Sequence, residues 1–88
     1  MGNEKKDRVQ YYTGNIILTY FDCNNADERR DFMWACVKKS DFDGEKILEA
    51  LQEKADKART MWSKNLINEA VKDLKDCIKE ENLEQRGK

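Results

Sequence analysis

The chain has no histidine and no proline, only four glycines and three cysteines, and no apolar run longer than residues 32–37. Each absence excludes something. Without histidine the commonest general acid and base near neutral pH is missing, and an aspartate or glutamate would need burial to take its place. Short apolar runs and a mean hydropathy of −1.00 exclude a membrane-spanning helix, which needs about 20 apolar residues. Neither sign of charge is in surplus. The 17 basic and 18 acidic residues leave a formal charge of −1, whereas a dedicated nucleic-acid module carries a basic excess. No membrane partner is expected, and nucleic acid is disfavoured.

The three cysteines, Cys23, Cys36 and Cys77, form no close pair, so they match neither a disulfide framework nor a zinc pattern. That usage points to a reducing, cytoplasmic setting, and no apolar leader follows the charged start. Gly2 suggests myristoylation, but the motif requires Ser or Thr where Lys6 stands. Neither a metal nor any other cofactor is expected. Asp41 and Asp43 before Gly44 look like part of a calcium loop, yet Lys39 and Ala50 occupy two of its chelating positions.

What is present reads as one small domain over residues 8–82, because 88 residues have no room for two. Residues 1–7 form a solvated lead-in and residues 83–88 a frayed tail. Residues 8–21 are rich in β-branched and aromatic side chains around Gly14-Asn15, which fits a two-residue hairpin turn. Such a hairpin places Val9, Tyr11, Thr13, Ile16, Leu18 and Tyr20 on a core face, with Tyr12, Ile17 and Phe21 on the other. The alternative is a helix over residues 5–21, whose stripe would be Val9, Tyr12, Ile16 and Tyr20, with Gly14 in mid-helix.

Helical periodicity governs the rest. Asn25 caps a helix over residues 26–39 with the stripe Phe32, Met33, Cys36 and Val37. Asp43 caps another over residues 44–62 with Ile47, Leu48, Leu51, Ala55, Ala58 and Trp62, and Phe42 staples its start. A third covers residues 64–82, with Ser63 as its cap and Ile67, Ala70, Val71, Leu74, Cys77 and Ile78 as its stripe. If residues 44–82 were one helix, these two stripes would face about 135° apart, so the chain is expected to bend near Ser63. The expected fold is therefore α+β, an N-terminal β-hairpin on two or three helices in the order ββααα, with an all-α bundle as the alternative.

Function is expected to lie in binding. The reading is a non-enzymatic protein-protein interaction module, a small inhibitor or adaptor that occupies a surface of a larger protein. Phage and mobile-element accessory proteins are one setting for such a composition. Trp34 falls off the apolar stripe and pairs with Arg30 as a candidate hot spot, and Tyr12, Ile17 and Phe21 are apolar side chains in excess of one core face. A homodimer through the hairpin edge, or through the second helix stripe, is the further partner arrangement. Two other classes compete. A nucleic-acid-binding accessory protein would use Arg29-Arg30 and Lys38-Lys39 around Trp34, with stacking on Tyr12 and Phe21. A thiol-dependent enzyme would use Cys23, the cysteine placed in a loop.

Overall fold

In the computed structural model, which describes residues 3–86 with side chains for residues 7–83, the segment expected as a hairpin is a helix. The element order is α1 (Asn3–Asp22), α2 (Ala26–Val37), α3 (Gly44–Lys57) and α4 (Met61–Arg86). No strand occurs among the described residues, so the ββααα arrangement is replaced by the all-α bundle. The lead-in and tail expected at residues 1–7 and 83–88 fall partly outside the described residues; where described, residues 3–7 begin α1 and residues 83–86 continue α4.

Tertiary burial explains why α1 overrides its β-prone composition. Tyr12, Ile16 and Tyr20 are buried and Val9 packs beside them, which is the helical stripe, whereas Leu18, on the same face as Ile16 in a hairpin, is 60% exposed. Burying three such side chains contributes about 1.5–3 kcal/mol each, against propensity losses of a few tenths per residue. A lone two-stranded hairpin would be marginal in water. The polar side chains in this stretch also serve the helix: Thr13 Oγ1 donates to the carbonyl of Val9 at 2.6 Å, and Asn15 Nδ2 to that of Tyr11 at 2.9 Å. Gly14 sits inside the helix, where it costs about 1 kcal/mol relative to alanine. A Cβ there would meet nothing within 4 Å, so internal packing does not require a glycine.

Caps set the later boundaries. The Asn25 side chain accepts from the backbone N–H of Asp27 and Glu28 at 2.9 and 3.2 Å, and Asp43 accepts from that of Lys46 at 3.2 Å. The α3–α4 break falls at residues 58–60, three residues before Ser63. Thr60 caps α4, its Oγ1 accepting from the Ser63 N–H at 3.1 Å and its carbonyl from the Lys64 N–H at 3.0 Å. That shift moves Met61 and Trp62 into the first turn of α4, and Trp62 leaves the α3 stripe for the surface, 62% exposed.

Contacts run α3 against α4 most extensively, and α1 against α2, α3 and α4. Gly44, at the start of α3, approaches Ile78 near the end of α4 so closely that a Cβ would lie 2.7 Å from Ile78 Cδ1, so these two helices are antiparallel. Tyr12 packs edge-on against Phe42 and Phe21 against Trp62, which sets α1 parallel to α3 and antiparallel to α4. Helices α1 and α4 thus form the central pair, flanked by α2 and α3. The core gathers Met33 and Cys36 of α2, Ile47, Leu51 and Ala55 of α3, and Ile67, Ala70, Val71, Leu74 and Cys77 of α4. Both stripes of residues 44–82 enter this one core. The hairpin edge and the second stripe therefore do not exist as dimer surfaces. The molecule measures 43 × 36 × 18 Å, thin enough that the core is shallow and every helix keeps a face at the surface.

Two substitutions separate helix from hairpin. Ile16→Ala should destabilise the protein by about 2–4 kcal/mol and Leu18→Ala by no more than about 0.5 kcal/mol, read by urea unfolding. Comparable losses at both positions would contradict the helical assignment.

Candidate functional site

The expected site residues are distributed over three places. Tyr12 is enclosed, 6% exposed, with its hydroxyl donating to Asp41 Oδ1 and its ring against Phe42, so it has no ring surface to offer a partner or a base. This is a correction forced by the helix: at 100° per residue Tyr12 shares the inward stripe with Ile16. Trp34 and Arg30 stand one turn apart on α2, with Arg30 facing α4. Arg30 reaches Glu80 at 3.2 Å, Asp76 at 3.9 Å and Asp73 at 4.0 Å, and Trp34 packs against the core with the Lys38 ammonium 4.7 Å from its ring centroid. Both are half-buried, and both carry contacts within the chain.

Ile17 and Phe21 are different. They lie on the α1 side of a groove of about 820 Å³ whose opposite wall is formed by Ala50 of α3 and by Ala58, which caps the end of that helix, and which is closed by Ser63 and Ile67 of α4. Gly14 belongs to the same α1 wall, exposed and without a neighbour where its Cβ would be. Phe21 meets Trp62 edge-on at 5.1 Å between ring centroids, which fixes the indole at the rim. Beside it Met61 is 70% exposed, and Leu18 stands one turn before Phe21 on α1. Charged residues on the groove are Glu53, Lys54, Lys57 and Arg59, of which Lys57 and Glu53 pair at 2.9 Å. Lys54 and Arg59 make no ion pair among the described residues.

A second cleft, about 1070 Å³, opens at the other end between the start of α1, the α2–α3 loop and the end of α4. Its charge is opposite. Among the described residues, Asp7, Asp41, Asp43, Glu45 and Glu81 line it with Arg8 as the one cation. No three of its acidic side chains converge as metal ligands among the described residues. Among the described residues, the near-balanced charges of the chain are thus sorted, basic at one cleft and acidic at the other.

The cysteines take two settings. Burial pushes the Cys36 and Cys77 thiols up, away from the reactive thiolate form. Cys23, half-buried in the α1–α2 loop, donates its thiol to Glu28 Oε2 at 3.1 Å, so the nearest ionised side chain it bonds is an acid. Residues 23–29 otherwise serve structure. Arg29 donates to the carbonyls of Tyr20, at 2.6 Å, and Cys23, which closes the end of α1, and its guanidinium stacks over the Tyr20 ring. The basic pairs that bracket Trp34 in the sequence are thus divided among separate tasks.

Sequence reasoning placed Ile17 and Phe21 in the set but missed Gly14, Leu18, Met61 and Trp62. The mid-helix glycine was a usable signal; the exposure of Trp62 depended on where the chain broke. No family model, curated protein or solved structure matches the chain.

The contact of Tyr12 with Asp41 has a pH signature. Hydrogen bonding to Asp41, then burial, pushes the Tyr12 hydroxyl up from 10.0 to about 12, and the same bond lowers the Asp41 carboxyl below its usual range. A raised tyrosine contributes stability that is complete below about pH 10 and is lost as the pH rises through about 12; a lowered aspartate contributes above about pH 4 and is lost as the pH falls through its depressed value. Tyr12→Phe should therefore lower the melting temperature most between pH 5 and pH 9, with the gap to the parent protein narrowing at both extremes. A gap constant from pH 3 to pH 11 would contradict the linkage.

Proposed function

We propose that this chain is a non-enzymatic protein-binding module, an inhibitor or adaptor that acts by covering part of a larger protein, and that its docking face is the groove between α1 and α3 together with the rim of α4. The observation that carries this reading is the exposure of Leu18, Met61 and Trp62 near a groove walled by Ile17 and Phe21, with Trp62 packed edge-on against Phe21 and Leu18 one turn before it. Small monomers seldom leave contiguous large apolar side chains at the surface, and an exposed tryptophan beside a groove is the type of residue that anchors interfaces. None of the three is needed to fill the core. Burying them on a partner removes apolar surface from water, a gain of about 25 cal/mol per Å² before the costs of association.

This relocates the anchor from Trp34 to Trp62. The test is affinity capture with tagged protein, comparing the parent chain, Trp62→Ser combined with Leu18→Ser, and Trp34→Ala. All three should fold, judged by circular dichroism. The proteins retained by the parent and by Trp34→Ala should be absent from the Trp62/Leu18 variant, and the same proteins retained at full yield by that variant would overturn the assignment of the face.

A further inference from the structure

Gly14 is a cost that the fold leaves unexplained. A glycine in mid-helix loosens α1, no neighbour occupies the space where its side chain would be, and its backbone does not need the left-handed region. What it does is open the groove: the backbone of α1 is bare at the point where Gln10, Thr13 and Ile17 continue the wall on either side. A bare backbone on an exposed groove wall lets another helix approach closely, as small residues do between packed helices. The length agrees. From Gln10 to Phe21 the wall runs about 16 Å, three turns of helix, enough for two apolar anchors at i and i+4 or i+7. The charge decides the chemistry of the occupant, because among the described residues the groove carries Lys54, Lys57 and Arg59 against Glu53, which is itself paired with Lys57.

We infer that the groove takes an acidic amphipathic helix of a partner protein, crossing α1 at Gly14, with its apolar anchors on Ile17 and Phe21 and its carboxylates toward Lys54 and Arg59. This deepens the reading of the same face as a docking surface and rests on it. The aromatic side chains here are Phe21 on the wall and Trp62 packed edge-on against it, which favours a protein over a nucleic acid, since bases would need stacking surface along the groove.

The probe is a fluorescein-labelled peptide of about 14 residues with leucines at i, i+3, i+4 and i+7 and glutamates at most other positions, titrated with the full chain by fluorescence anisotropy. Its lysine-for-glutamate counterpart and a labelled oligo-dT are titrated alongside. The expected result is binding of the glutamate peptide about tenfold or more tighter than the lysine peptide, weakening as salt rises. Gly14→Leu should abolish it while keeping the helical spectrum, and Gly14→Ala should melt at a higher temperature than the parent yet bind more weakly. Lys54→Glu with Arg59→Glu should reverse the preference between peptides. Equal binding of both peptides would overturn the acidic partner while leaving the docking face in place. Tightest binding of oligo-dT would overturn both readings. If no peptide binds and light scattering shows a dimer that Gly14→Leu disperses, the occupant is a second copy. Full peptide binding by Gly14→Leu would refute the crossing at Gly14.

Discussion

The structure depends on how the end of α1 is seated. Tyr20 is fully buried, its hydroxyl donates to Asp73 Oδ2 of α4 at 2.6 Å, and Arg29 of α2 lies over its ring at 5.2 Å while bonding its carbonyl. Three helices meet on one side chain. Burial and the bond to Asp73 push the Tyr20 hydroxyl far up, so it stays a neutral donor across the physiological range. A carboxylate acceptor makes this a charge-assisted bond, and the aromatic ring supplies the apolar burial in the same residue. Arg29 also answers a local need: the last carbonyls of α1 have no partner within the helix, and α1 has no basic residue in its own last turn. With Tyr20 fixed, Phe21 must point toward Trp62 and Ile17 toward α3, and the groove follows.

The parts of this fold that were legible in the sequence are those where period and cap agreed. Asn25 and Asp43 mark the starts of α2 and α3, and the stripe from Ile67 to Cys77 enters the core as its spacing predicts. Residues 8–21 were misread because two local signals coincided, a run of β-branched and aromatic residues and a Gly-Asn pair at its centre. Local preference there amounts to tenths of a kcal/mol per residue, and long-range burial of Tyr12, Ile16 and Tyr20 outweighs it. Nothing local announces that Tyr20 will find Asp73, 53 residues away. The bend between α3 and α4 was legible as a necessity, from two stripes that could not share one straight helix. Its position was not, because neither Gly nor Pro marks it and Thr60 and Ser63 are both competent caps.

The binding surface was half legible for a related reason. Ile17 and Phe21 were recognised as apolar residues beyond one core face, and they remain so in the helix. Trp34 and Arg30 were assigned to a partner because the acids of α4 that hold Arg30 could not be placed beside it from the sequence. Periodicity alone assigns Trp62 to the core, and a three-residue difference in the start of α4 puts it outside. Charge segregation was invisible for a deeper reason. Counts over each half of the chain are balanced, and only the packing of α1 against α3 and α4 gathers Lys54, Lys57 and Arg59 at one cleft and Asp7, Asp41 and Asp43 at the other.

Groove, bare glycine, indole rim and opposed charges all exist only if residues 9–21 are helical. Backbone carbon chemical shifts and amide hydrogen exchange over that segment measure this directly. The account predicts helical shifts through Gly14 without interruption, with the amides of Ile16 and Tyr20 among the slowest to exchange. Strand-type shifts on both sides of Gly14-Asn15, with protection alternating along the chain, would contradict it.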